Sequence, residues 1–550
     1  MAYLAIVATL SHNKVLWLDE LITLHIARLG SAHAIWNALA HAADPNPPLT
    51  HLAVLGSMRL FGTGELALRL PAILGYWVGL VSLFLFLRRH LPATWALAGV
   101  IFSMANATFD YSYESRSYAI FYGMAMLALL CWSEAVDATR SIAHRRLALI
   151  GMTLALAAGI STNYFAVLAF FPVAAGELTR TVLRARRQRQ INDSVLHAVD
   201  LRLWAAFAVA ATPLLLFRPL IEHSIAQFAP HAWNKVSLDQ VFDSYLQMVE
   251  VILFPVVALM LLFALIAAAS RRQRSTLRIS QMFTRLHLHN AQPTLPLAMH
   301  EAAAIFLLML YPFLGYLIAK IHGGMLSPRF VIPVCLGFAI TGIVIAYRIF
   351  GHLRHSGAVT LALVCTVFLG RVMAVGHDYH QQRQTFLQVL NDLPRAAGNR
   401  PIVVADPLMV LTLQHYASPA IASRIVFPVD FPAIRSIRGE DSPEENLWAG
   451  RNTIFHIPIV PLADLQNNTA DYLILASDNN WLVRDLVTHR YPVNRLNYSF
   501  EADTIKGFTP LNHADPVFFI AAGDHAYRAN LCPAPRRFAA WANLPSAPAL

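Results

Sequence analysis

The sequence predicts a mainly α-helical polytopic membrane protein with about eleven spans and a small C-terminal α/β domain on the outer face. Three observations lead there. Hydrophobic residues make up 56% of the chain and charged residues 13%, with a mean hydropathy of +0.48, whereas soluble domains carry about 25% charged residues. The apolar residues gather into runs, several of them near the ~20 residues that cross a hydrocarbon core. After about residue 375 the runs stop, and strand-like and helix-like stretches alternate. The formal charge of +10 does not point to nucleic acid, because the basic residues sit in short clusters between apolar runs.

In chain order the runs are Met1 to Val15, Leu68 to Leu87, Pro92 to Thr108, Tyr118 to Val136, Leu147 to Ile160 and Tyr164 to Glu177. Leu203 to Leu220, Leu246 to Ser270, Glu301 to Ile321, Val331 to Ile349 and Ala358 to Val375 follow. The first run lacks a basic n-region and a small-residue cleavage site, so it reads as a shortened, retained span. Basic clusters occupy every second loop: Arg88-Arg89-His90, Arg140 with Arg145-Arg146, Arg180 to Arg189, Arg271 to Arg285, and Arg348 with Arg354. The positive-inside rule then puts the N-terminus in the cytoplasm, and the Asp19-Glu20 loop and the tail after Val375 outside. Few lysines, many histidines and no eukaryotic retention signal suggest a bacterial inner membrane.

The chain divides into a membrane domain, 1–375, and an outer domain, 376–550. Within the first outer loop, 17–66, apolar residues from Leu21 to Leu29 and from Ile35 to Ala40 recur at helical spacing, which predicts two short helices lying on the membrane surface. In the outer domain, Tyr379 to Leu393, Leu408 to Tyr416 and Trp481 to His489 read as helices. Pro401 to Asp406, Arg424 to Val429 and Asp471 to Ala476 read as strands. Ser442 to Asn446 and Pro533 to Leu550 read as loop and tail. Cys131, Cys335 and Cys365 lie in apolar runs and Cys532 stands alone, which offers no disulfide framework or CxxC metal site.

Ionisable groups near a membrane core are expensive and mark function there. The outer loops supply Asp19 and Glu20, Asp44 in the turn Asp44-Pro45-Asn46-Pro47-Pro48, and Arg69 at the entry to the second span. They also supply the stretch from Asp110 to Tyr118, with Glu114 and Arg116, and Ser327-Pro328-Arg329-Phe330. If these loops converge, carboxylates and guanidiniums line one cavity. An arginine fork donates two hydrogen bonds to a phosphate and stays charged, and a carboxylate within reach of a hydroxyl takes its proton. A phosphate-bearing lipid donor and a hydroxyl or amine acceptor suit such a cavity.

Five phrases taken together resemble the GT-C superfamily: Trp17-Leu18-Asp19-Glu20, the turn Asp44 to Leu49, Gly64 to Ala72, Tyr111 to Tyr118, and Ser327 to Phe330. Within it the chain is similar, from about residue 15 to 375, to the bacterial protein mannosyltransferase and aminoarabinose transferase group. The resemblance implies a glycosyltransferase that takes a sugar from a polyprenyl-phosphate carrier at the outer face and inverts the anomeric centre. The acceptor, whether lipid, glycan or protein, is left open. It implies a general base in the first outer loop, matched by Asp19 with Glu20 adjacent, and a second acidic position matched by Asp110 or Glu114. It implies carrier-phosphate ligands at Arg329 and Arg116, and at Arg69, each at the outer end of a span. No cofactor is required. Many relatives carry a His where this chain has Asn46, which weakens a metal role for that turn, so a divalent metal stays only an open alternative.

Structural roles compete at each position. Asp19 would cap the helix that follows it, Glu20 would support it, and Asp44 would start its own turn. Glu114 and Arg116 would satisfy each other, Arg69 would anchor at the interface, and Arg329 would snorkel, although it stands in an otherwise uncharged loop. His12, His25, His41 and His51 match no HExxH pattern, so no metal site is assigned. Two other function classes fit a polytopic chain: a flippase for a lipid-linked glycan, which calls for polar residues deep in the spans and internal repeats, and a non-catalytic GT-C-like subunit, which the presence of Asp19 disfavours.

Overall fold

The computed structural model describes residues 2–190, 195–228, 236–248, 296–322, 325–351, 355–467, 471–476, 480–489, 493–495 and 517–521. The chain forms two compact units. One comprises Met1–Ala8, Asn46–Glu222 and Asn234–Ala374; the other comprises Thr9–Pro45, His223–Trp233 and Val375–Leu550. The loop 17–66, read from the sequence as part of the membrane domain, is therefore divided, because its residues up to Pro45 cluster with the C-terminal part of the chain.

The first unit is helical. Among the described residues, four helices are long and apolar enough to cross a membrane: Glu65–Arg88, Tyr118–Val136, Tyr164–Gln190 and Ser356–Ala397. Two bent pairs raise the number to six, Leu201–Leu216 with Arg218–Gln227 at 53° and Met299–Met309 with Tyr311–His322 at 58°. Pro219 and Pro312 stand at the starts of the second members, where a proline interrupts the helical hydrogen-bond ladder. The spans expected at 1–15, 92–108 and 331–349 are the shorter helices Ala2–Asn13, Ala93–Met104 and Val334–Phe350, and the one expected at 147–160 lies within Ile142–Thr162. Beyond Met248, the span expected at 246–270 falls outside the described residues.

Helices Glu65–Arg88 and Tyr118–Val136 cross at glycines. A Cβ placed on Gly123 would stand 1.9 Å from the carbonyl oxygen of Gly75, and one placed on Gly79 would stand 2.9 Å from the Cα of Gly123. Small residues at such a crossing let backbones touch in lipid, where no hydrophobic force pushes helices together. Beside it Tyr76 stacks on Tyr122 with ring centroids 4.9 Å apart. The basic clusters are partly neutralised by acids: Arg89 pairs with Asp137 at 3.2 Å, Arg140 with Glu134 at 2.7 Å and Arg180 with Glu177 at 2.6 Å.

In the second unit a six-stranded sheet runs in the order β3-β2-β1-β4-β6-β5, from β1 (Ile402–Val404), β2 (Ile425–Val429), β3 (Ile459–Pro461), β4 (Tyr472–Ala476), β5 (Val493–Arg495) and β6 (Val517–Ala521). β3, β2, β1 and β4 are parallel; β6 pairs antiparallel with both β4 and β5. Parallel neighbours need crossover connections, and helices Pro407–Tyr416, Phe431–Arg438 and Leu462–Gln466 follow β1, β2 and β3. Val403, Ile474, Trp481 and Leu486 belong to the core on this sheet. Asp406, Asp430 and Asn480 cap the helices after β1, β2 and β4, each accepting a backbone N–H.

Two sequence readings are corrected here. Ser442–Gly450 is a helix, not a loop, with Pro443 in its first turn, where proline is tolerated. Helix Leu18–Ala27 is not a surface helix with one apolar face down, since nine of its ten residues are buried. It packs on helix Pro407–Tyr416, as a helix buried nearly all round must find partners on several sides.

Candidate active site

Four segments of the first unit meet around Tyr118. Asn46, from the proline turn, accepts from the Ser117 hydroxyl at 3.3 Å and from the Asn163 amide at 3.3 Å, and the Asn163 amide also donates to Ser117 at 2.9 Å. This closed triangle ties the turn, the loop before helix Tyr118–Val136 and the end of helix Ile142–Thr162 together. Two residues on, Phe165 stacks on Phe330 with centroids 4.5 Å apart, which sets the chain beside Arg329.

The loop itself is built from local polar contacts. Asn106 caps the 3₁₀ helix Ala107–Tyr113 by accepting from the Thr108 N–H at 2.9 Å. Ser115 donates to the Leu68 carbonyl at 2.9 Å, next to the fully buried Arg69. Arg116 N–H bonds the Glu114 carbonyl at 2.7 Å in a tight turn. Within it the guanidinium carbons of Arg116 and Arg329 each lie 5.7 Å from the centre of the Tyr118 ring. Such cation–π contacts orient a cation without consuming its hydrogen-bond donors. Tyr111 packs edge-on against Tyr118 at 5.3 Å. Burial pushes the Tyr111 hydroxyl far up, Glu114 adds to this and Arg329 opposes it, so carboxylate and guanidinium act on the same hydroxyl. Glu114 and Arg116 are both buried.

Of the two acids in this loop, Asp110 is engaged elsewhere: it accepts from the Tyr113 hydroxyl at 2.8 Å and from Arg371 of helix Ser356–Ala397 at 2.5 Å. The structure thus brings together Glu114, Arg116 and Arg329, and gives Asp110 an ion-pair partner of its own. Arg371 escaped the sequence reading, although an arginine inside an apolar run has to be compensated. Asn163 and the shared ring of Tyr118 escaped it too, and only three-dimensional proximity reveals them.

Asp19, Glu20 and Asp44 belong to the second unit. Asp19 lies in the first turn of helix Leu18–Ala27 but does not cap it; Trp17 is the N-cap and makes no side-chain capping bond. Asp19 is half-buried, while Glu20 and Asp44 are buried. His25, on the same helix, is brought down to about 4 by burial, helped by Arg28, His456 and His415. Among the described residues, no group of three or more His, Cys, Asp or Glu is arranged to hold a metal ion.

Residues 45–212 match the family described as dolichyl-phosphate-mannose-protein mannosyltransferase. No curated protein matches the chain. Among solved structures, ArnT from Cupriavidus metallidurans in the apo state is similar with a TM-score of 0.55 and 12% identity, over 95% of this chain and 97% of that one. The same protein bound to undecaprenyl phosphate aligns with a TM-score of 0.53 and 12% identity, over 95% and 96% of the two chains. The chain thus has the fold of the ArnT structures, and this fold and the family match over residues 45–212 bear out its resemblance to the GT-C superfamily of glycosyltransferases.

Proposed function

We propose that this protein is a membrane glycosyltransferase that moves a hexosyl or pentosyl group from a polyprenyl-phosphate carrier to a hydroxyl or amine acceptor. The reaction takes place at the outer face of a bacterial inner membrane, with the N-terminus in the cytoplasm and the C-terminal domain outside. The observation that carries the reading is the pair of guanidiniums, Arg116 and Arg329, held against one ring beside Glu114. Their charge suits the leaving phosphate. The acceptor oxygen or nitrogen bonds to the anomeric carbon from the face opposite the phosphate, inverting it. The bond from that carbon to the phosphate oxygen breaks, and its electron pair leaves with the carrier.

The acceptor proton goes to a carboxylate. Asp19 is our assignment for this base, supported by its place in the first outer loop and by the resemblance, with Glu20 as its supporting neighbour. Glu114 is the second acidic position, and Asp110 orients the loop through Arg371. Arg69 backs the same loop from the next helix. The scheme calls for no cofactor.

Native mass spectrometry of the protein in mild detergent tests the carrier, with undecaprenyl phosphate as probe. Arg329→Ala is expected to weaken its binding by about 1.5–3 kcal/mol, the worth of a hydrogen bond to a charged group. Asp19→Asn is expected to abolish transfer and still bind it. Near-normal turnover by Asp19→Asn removes the base assignment, and a wild-type protein that binds no polyprenyl phosphate sinks the function.

A further inference from the structure

The segment between helices Ala2–Asn13 and Leu18–Ala27 is short, extended and buried at Leu16. The flanking helices take up the Lys14 N–H, which donates to the Leu10 carbonyl, and the Trp17 carbonyl, which accepts from Leu21, so the Leu16 N–H and C=O between them need partners from elsewhere. Both partners of Leu16 come from one helix of the second unit: its N–H donates to the Tyr416 hydroxyl at 3.1 Å, and its carbonyl accepts from the Thr412 hydroxyl at 3.0 Å. Thr412 and Tyr416 are four residues apart on helix Pro407–Tyr416, hence stacked on one face.

That helix is itself fixed. Asp406 caps it at 2.9 Å, and the Ala405 carbonyl at the end of β1 accepts from Asn480 and from the Trp481 indole, both at 3.2 Å. Leu16 is followed directly by Trp17, the N-cap whose carbonyl accepts the first helical bond, from Leu21, at 3.0 Å. A continuous set of bonded groups therefore runs from the sheet through two hydroxyls to the first turn that carries Asp19. At its other end the loop is held as well, where the Asn446 amide donates to the Ala43 carbonyl at 3.1 Å.

We propose that Thr412 and Tyr416 are positioning residues for Asp19: by gripping both sides of the Leu16 peptide they set where the first turn of helix Leu18–Ala27 presents that carboxylate. The proposal deepens the transferase reading and rests on it. It gives the C-terminal sheet the work of a reference frame for the proposed base.

The test uses the full chain in detergent and the double variant Thr412→Val, Tyr416→Phe, which removes both hydroxyls and keeps shape. Turnover is read by mass spectrometry as release of undecaprenyl phosphate when the protein is given a whole extract of the native cell envelope, the source of both the glycosylated polyprenyl phosphates and the acceptor. Affinity for undecaprenyl phosphate is measured separately. Turnover at saturation is expected to fall about ten- to a hundred-fold, the scale of misplacing a reacting group by up to about 1 Å. Affinity for undecaprenyl phosphate should stay unchanged, and amide exchange at residues 16–18 should quicken. Thr412→Ser, which keeps a hydroxyl, should restore turnover in the Tyr416-intact chain, whereas Thr412→Val should not. A double variant that turns over like the wild type overturns the proposal alone, as does one that loses affinity and turnover together. A wild type with no turnover of the extract overturns the underlying function as well.

Discussion

Replacing Gly123 by alanine puts a methyl group where helix Tyr118–Val136 crosses Glu65–Arg88. The added carbon would stand 1.9 Å from the Gly75 carbonyl oxygen and 2.9 Å from its carbonyl carbon. Ordinary carbon–oxygen contacts begin at about 3.3 Å, so the helices must part by about 1.4 Å or bend. Neither obstacle is a flexible side chain. Overpacking costs about 1–3 kcal/mol, and two rigid backbones put this substitution near about 3 kcal/mol. The parting reaches the candidate site, because Tyr118 opens one helix and the loop is tied through Ser115 to Leu68 on the other. The assay is the thermal midpoint of purified protein in detergent, measured beside Gly370→Ala, whose added carbon meets nothing within 4 Å. The control is expected near wild type and Gly123→Ala several degrees lower, with weaker binding of undecaprenyl phosphate. Equal midpoints for the two variants would refute the close approach.

A double-mutant cycle on Asp110→Ala and Arg371→Ala, read by thermal stability, is expected to show about 1–3 kcal/mol of coupling; additive effects would mean the ion pair is not made. Two buried groups of the second unit give opposing pH slopes. His25 sits near 4 in the fold against its ordinary 6.5, so the unfolded chain takes up a proton that the folded chain refuses. Its contribution, on the order of 3 kcal/mol, is present above pH 6.5 and lost as pH falls through about 4. His25→Leu should lack that acid loss. Glu444 goes the other way: burial lifts it to about 7 from 4.5 despite the attraction of Arg438, which is more exposed and shared with Glu440. Its contribution is complete below pH 4.5 and lost as pH rises through about 7, and Glu444→Gln should flatten that decline. Thermal midpoints against pH for the two variants and wild type check both slopes.

Long apolar runs were legible because burial in lipid and in protein ask for the same residues, and β1, β2 and β4 because buried parallel strands read as unbroken apolar stretches. Helix Ser442–Gly450 was misread because Pro443, Glu444 and Glu445 look like solvent-facing loop, yet proline and acids are at home in a helix's first turn. Helix Pro48–Phe61 was hidden for the same reason, since its opening proline was counted with the turn before it. Strands β3, β5 and β6 went unread in the sequence. At the site, the residue types of the loop could be read, but not which acid faces which arginine. Asp110 and Glu114 are four residues apart and chemically alike, and the ion-pair partner that sets Asp110 apart, Arg371, lies 261 positions from it. The assignment of residues 9–45 to the C-terminal unit depends likewise on contacts such as Thr412 to Leu16, 396 positions apart.

The triangle of Asn46, Ser117 and Asn163 has a consequence for how this chain can vary. Each member is a short polar side chain bonded to the other two, drawn from segments far apart in sequence. Replacing one by an apolar residue strands polar groups on two others, and a stranded buried group costs about 1–3 kcal/mol. Changing the set at once, to side chains that again satisfy one another, avoids that loss. Homologous chains should therefore exchange these three positions as a linked set, and a relative with histidine in place of Asn46 should differ at Ser117 or Asn163 as well.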